Sequence, residues 1–448
     1  MDSIFDLDHL YRTYFKMALP SVFGLMVSVV YNLADTFFIA QSNDTALIAG
    51  VSLCAPVFTA LMAFGNIYGQ GGSSLISRLL GQDDREGTGR VSSFCFYVAL
   101  TTGVVLAALM MLFRVPLLGI LGANAETMPH AQAYYTVLAI GAPATVLNFI
   151  HSNLVRCEGM ATQSMIGSIG GTVINIILDP IMIFGLLGCP AMGVRGAAYA
   201  TIIGQLVAAV LGIVLNQKHN TDVRVNPKKI RFNFPIIGEI YAIGFPSILM
   251  TAIGSVTTYL MNQILLAFST TASAVYGVYF KLNSFFFMPL FGLNNAVVPI
   301  VAYNYGARNR GRIHQAIRTS TITAVTIMLL GWAAFFFLPV PLLRLFDASE
   351  AMIAIGIPAF RITSFTYPLA AVSIVASSVF QALGQSMHSM LVSLGRQLIV
   401  LIPVAYLFSL TGILDDVWLA FPIAEVVCLI SSLFFLKKVL HRLDSFPQ

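Results

Sequence analysis

The chain has 448 residues, of which 57% are hydrophobic and only 10% charged, and its formal net charge is +5. A soluble domain carries about 25% charged residues, so a water-soluble globule is excluded. The small positive excess fits basic loops beside a membrane and not a nucleic-acid footprint. Runs of 20 or more apolar residues, without the alternation of barrel strands, read as helices in a bilayer.

In chain order, the acidic start (Asp2, Asp6, Asp8) and the long first apolar run do not resemble a cleavable signal peptide. Twelve spans follow, at roughly 14–40, 45–79, 91–113, 132–156, 164–188, 196–216, 238–268, 272–305, 312–338, 351–383, 388–410 and 416–437. Several exceed the usual 20 residues, which implies tilt or kinks. Prolines such as Pro20, Pro143, Pro180, Pro246, Pro368 and Pro403 lie inside them. With the N-terminus inside, 18 of the 24 Lys and Arg sit at cytoplasmic ends or loops. Only Arg114, Arg195 and Arg344 fall outside, while Lys281, Arg361 and Arg396 are embedded. This asymmetry sets the orientation and supports an even number of spans. The five cysteines (Cys54, Cys95, Cys157, Cys189 and Cys428) show no metal or disulfide spacing and read as small apolar fillers.

The two halves of the chain match at an offset near 225 residues. Pro20-Ser21 pairs with Pro246-Ser247, Gly81 and Arg85 with Gly306 and Arg310, Pro143 with Pro368, and Gly159 with Gly384. Six spans per half make a parallel repeat with its axis along the membrane normal. The expected fold is therefore an all-α membrane protein of 12 transmembrane helices in two six-helix lobes. The boundaries are 1–216 for the N-lobe, 217–237 for a cytoplasmic linker and 238–448 for the C-lobe.

A set of short motifs then resembles the multidrug and toxic compound extrusion (MATE) family. They are Asn32-Leu33-Ala34-Asp35-Thr36, Ile76-Ser77-Arg78-Leu79-Leu80-Gly81, Arg156-Cys157-Glu158-Gly159 and Asn175-Ile176-Ile177-Leu178-Asp179-Pro180. Gly196-Ala197-Ala198-Tyr199-Ala200-Thr201, Pro299 through Ala307, Gln381-Ala382-Leu383-Gly384 and Arg396-Gln397 complete them. Each is weak alone, but together and in order they are specific. The resemblance implies export of cationic, lipophilic small molecules coupled to inward Na⁺ or H⁺ flow. Some members carry acidic residues in spans 7 and 10. Here span 7 has only Glu239 at its start, and span 10 carries Arg361 instead. The pattern resembles the branch whose cation site lies in the N-lobe.

Embedded charges point the same way without the family. The N-lobe holds Asp35 and Asp179 at depth and no deep Lys or Arg, whereas the C-lobe sets Glu425 against Lys281, Arg361 and Arg396. Asn175 and Asp179 lie four apart, on one face of span 5. With Asp35 and Thr201 they make four hard-oxygen groups in the outer half of the membrane. Such groups suit Na⁺, or a proton shared between the carboxylates. Lys281, Arg361 and Glu425 fall at one depth, and Glu425 is expected to approach one of the two cations, as an ion pair or as part of an anion site. His151 is either a packed histidine or a proton relay.

No organic cofactor is expected, since the coupling ion does the work and no G-x-x-x-x-G-K-[ST] appears. Without H-E-x-x-H or G-x-S-x-G, an enzyme is not supported. The leading reading is an antiporter exporting cationic, lipophilic drugs, a monomer in the cell's inner membrane with both termini cytoplasmic. The alternative is an exporter or flippase of an anionic metabolite or lipid-linked substrate, which the basic C-lobe keeps open.

Overall fold

The computed structural model describes residues 9–446 apart from 42 and 44. The first half runs through α1 (Leu10–Ala40), α2 (Thr45–Gly81), α3 (Arg85–Leu112), a short α4 (Arg114–Ile120), α5 (Met128–Ile140), α6 (Ala142–Arg156), α7 (Ala161–Phe184) and α8 (Val194–His219). The second runs through α9 (Phe234–Leu266), α10 (Thr270–Gly306), α11 (Arg310–Phe337), a short α12 (Pro339–Arg344), α13 (Glu350–Ser364) and α14 (Thr366–Ala382). It ends with α15 (Ser386–Leu394), α16 (Ile402–Ser409), α17 (Leu414–Trp418) and α18 (Ala420–His441). Among the described residues there is no strand. Among the described residues ten helices are long and apolar enough to cross a membrane, or 12 with each of two bent pairs taken as one span.

The repeat is visible in detail. α2 and α10 end at Gly81 and Gly306, and α3 and α11 begin at Arg85 and Arg310. Asp84 caps α3 by accepting from the Gly87 N–H, and Asn309 caps α11 by accepting from the Arg312 N–H. The spans expected at 132–156 and 351–383 are each broken. α5 and α6 bend by 55° at Gly141, and α13 and α14 by 45° at Phe365. Both breaks come just before a matched proline, Pro143 or Pro368, whose ring crowds the preceding turn. Span 11 is interrupted by a π-helical turn, Gly395–Leu401. Pro403 follows it and cannot donate to the carbonyl four residues back, so the ladder widens there.

The compact units do not follow a cut at the linker. One contains Phe23–Gly244; the other contains the start of α1, up to Val22, and everything from Phe245. The linker belongs to the first because Glu158, only 2% exposed, accepts from the N–H groups of Thr221, Asp222 and Val223. Asn216 bonds the carbonyl of Val223 and the N–H of Val225, and the Ser93 hydroxyl accepts from the Asn226 N–H. The start of α1 belongs to the second because its face of Thr13, Tyr14, Met17, Ala18 and Ser21 is buried. A Cβ on Gly292 of α10 would stand 2.6 Å from the Val22 Cα, so only glycine permits that approach. All five cysteines are free, and four are buried.

Candidate functional site

The N-terminal unit gathers its embedded acids. α7 buries Ala161, Ser164, Gly167, Gly171, Asn175, Asp179 and Ile183, a spacing of three and four that defines one face. The face is inlaid with polar residues because α8 lies against it at backbone distance. A Cβ on Gly171 would sit 2.5 Å from the Gly204 carbonyl oxygen, and one on Gly204 2.8 Å from that of Gly171. α7 continues through Pro180 and ends at Gly185, whose φ of +76° forms the left-handed cap. The helix therefore stops before 188, the expected end. Asp179 stands five residues before Phe184, as Asp35 stands five before Ala40 of α1. At about 1.5 Å per residue, each lies about 7.5 Å from its helix end.

Asp179 is fully buried, and Asn175 and Thr201 are each 3% exposed. Asp35 and Asp179 face one another closely enough for each to act on the other's charge. Among the described residues no donor reaches either oxygen of Asp179, the Asp35 Oδ1 or the Asn175 Oδ1. The Thr201 hydroxyl donates to the Ala197 carbonyl at 3.1 Å, so its oxygen can still act as an acceptor or ligand. Four buried acceptor atoms without a donor are costly unless a cation or a shared proton joins them. Carboxylate, amide and hydroxyl oxygens are the donor set a hard ion such as Na⁺ prefers. The residues present therefore fit either coupling ion.

Two tyrosines complete the surroundings. Tyr31 stands beside Thr201 and Asn175, and Tyr134 beside Thr201. Sequence reasoning missed both. Tyr31 is four residues before Asp35, on the same helical face, and that spacing was the available signal. Beside the site, Tyr31, Asn148, Ser168, Thr172, Asn175 and Gln205 line a cavity of about 40 Å³. The Asn148 amide donates to the Gln205 amide oxygen there at 2.6 Å.

The C-terminal unit corrects one expectation. Glu425 pairs with Arg396 at 3.5 Å, not with Lys281 or Arg361. Both of these are exposed, on the faces of α10 and α13 turned away from their unit's core. Lys281 lies over the Phe346 ring, and Arg361 donates to the Phe336 carbonyl at 3.1 Å. Depth is an axial coordinate and does not fix the face, which turns by about 100° per residue. Arg396 sits within the π-helical turn in mid-span and from there reaches Glu425. Of the triple phenylalanine, Phe286 packs on Phe335 and Phe287 on Tyr367, while Phe285 is exposed.

These features define a class: a multi-pass, all-α membrane protein built from two copies of one six-span unit, with its unpartnered acids in the first. The MatE family model matches residues 20–181 and again 244–407. The chain belongs to the MATE family of transporters and is not an enzyme. It is 31% identical over 443 residues to the multidrug export protein MepA of Staphylococcus aureus, a match spanning 98% of this chain and 96% of that one. Two solved structures superpose at a TM-score of 0.88 with 27% identity, each match covering 96% of both chains. One is the outward-facing conformation of a multidrug resistance MATE transporter. The other, from Pyrococcus furiosus, is described as having a binding pocket of reversed polarity that suggests a different function.

Proposed function

We propose that this protein exports lipophilic, cationic small molecules by antiport with Na⁺ or H⁺, alternating access between its two lobes. The observation that carries the reading is the facing pair of Asp179, fully buried, and Asp35, half-buried: among the described residues no donor reaches either oxygen of Asp179 or the Oδ1 of Asp35. Such a pair holds a cation or a proton and releases it when its surroundings change. Asn175 and Thr201 complete the coupling site, and no organic cofactor takes part. The protein works as a monomer in the inner membrane, surrounded by lipid and without nucleic-acid partners, with both termini and the linker in the cytoplasm.

The test uses membrane vesicles loaded with a fluorescent cationic dye, driven by a Na⁺ gradient or a pH gradient applied separately. Asp35→Asn and Asp179→Asn, made singly, should insert normally and lose gradient-driven efflux. Wild-type export by either variant removes that carboxylate from the coupling mechanism. Lys281 and Arg361, exposed and without an acidic partner among the described residues, favour a second reading, in which the substrate is an anionic or lipid-linked compound. Transport of an anionic dye but not a cationic one would select it.

A further inference from the structure

A second cavity lies beneath the first, toward the cytoplasmic ends of the same helices. It has about 10 Å³ and is lined by His151, Ser152, Gln163, Ser164, Gly212 and Leu215, among others. It shares Asn148, Ser168 and Ala208 with the cavity beside the acids. The two form one polar seam between α6, α7 and α8, wholly inside the N-terminal unit. Along α7 the seam runs from Asn175 to Gln163, twelve residues, or about 18 Å. Its lower end reaches Val155, next to the last residue of α6, and Leu215, four before the end of α8.

His151 stands at the middle of the seam. It is 2% exposed, and among the described residues neither ring nitrogen has a hydrogen-bond partner. Phe96 packs on one side of its ring at 5.0 Å. A Cβ on Gly212 of α8 would meet the His151 Cβ at 2.7 Å, so the imidazole is clasped at its root. A buried imidazole with both nitrogens unpartnered is costly as mere packing, and a space of this size, with Ser152, Gln163 and Ser164 in its lining, fits a water as the partner. The space is far too small for an organic substrate. Water and a small monovalent cation are the occupants it admits.

Resting on the coupling site assigned above, we propose that this seam is the route by which the coupling cation leaves the acid pair for the cytoplasm. His151 is a positioning residue in it: its nitrogens hold the water that carries the ion past the narrowest point. The drug and the ion thereby use separate paths, and the ion's path lies within one lobe.

Two measurements decide the matter. In a protein whose five cysteines are replaced, Ser168→Cys should react with a small, cationic, membrane-impermeant thiol reagent in inside-out vesicles and not in intact cells. In the gradient-driven assay, His151→Phe should slow efflux about tenfold or more by filling the seam, while His151→Asn should retain most activity. Binding of the dye to purified protein should be unchanged in both. Labelling of Ser168→Cys only from outside, or not at all, would overturn the route, as would wild-type efflux by His151→Phe. If His151→Phe fails to fold, the labelling decides alone. If His151→Phe exports normally while the Asp35 and Asp179 variants do not, the acid pair stands and the route falls.

Discussion

At the scale of single residues, charge in an apolar span is the most readable signal in this chain. Asp35 and Asp179 stand out because nothing else acidic lies as deep in the first half. The four-residue spacing of Asn175 and Asp179 puts them on one face, and the structure brings them together with Asp35 and Thr201. The C-terminal charges were misread for a definite reason. The sequence places them at one depth, but the π-helical turn that swings Arg396 toward Glu425 comes from a local widening of the backbone that no apolar pattern records. The pairing has a measurable consequence. Glu425→Gln leaves Arg396 charged and unmatched, which should destabilise the protein by about 3–5 kcal/mol. A thermal-unfolding assay in detergent checks this, and the double variant Glu425→Leu, Arg396→Met should recover most of the loss. A single variant as stable as the wild type would mean that the pair contributes nothing to the fold.

At the scale of elements, span count and repeat were legible because bilayer thickness and the offset near 225 residues both act on long stretches. The breaks at Gly141 and Phe365 were not placed. Prolines mark many spans, and only the surrounding packing decides which of them bend. How the linker is held was not legible, because its basic composition says nothing of Glu158, which lies some sixty residues earlier in the chain and binds it by hydrogen bonds. A buried carboxylate serving three backbone donors is strongly bound, and hydrogen bonds to a charged group contribute about 1.5–3 kcal/mol each. Glu158→Ala should therefore free the segment. Trypsin added to inside-out vesicles should then cut near Arg224, Lys228 and Lys229 faster than in the wild type, and should leave the segment intact in whole cells. Unchanged cutting in the vesicles would show that other contacts hold the linker.

At the scale of the molecule, each compact unit includes the opening helical segment of the other half of the sequence. α1 up to Val22 belongs with the residues after Phe245, and the start of α9, through Gly244, belongs with the first half. During synthesis this imposes an order. The N-terminal unit lacks a piece until the ribosome has passed Gly244, and the opening turns of the chain, made first, are seated last. Their apolar face of Tyr14, Met17 and Ala18 has to wait in lipid or beside the insertion machinery until α10 arrives with Gly292. Half-chains 1–231 and 232–448 should therefore each be degraded when expressed alone and accumulate when expressed together, as immunoblots of membrane fractions can establish. A half-chain that accumulates alone to the level of the intact protein would refute the interlock. Gene fission and the grafting of one half onto a relative's other half are thus constrained by the opening dozen or so helical residues of each half, Leu10 to Val22 and Phe234 to Gly244, and not only by the linker at which the sequence invites a cut.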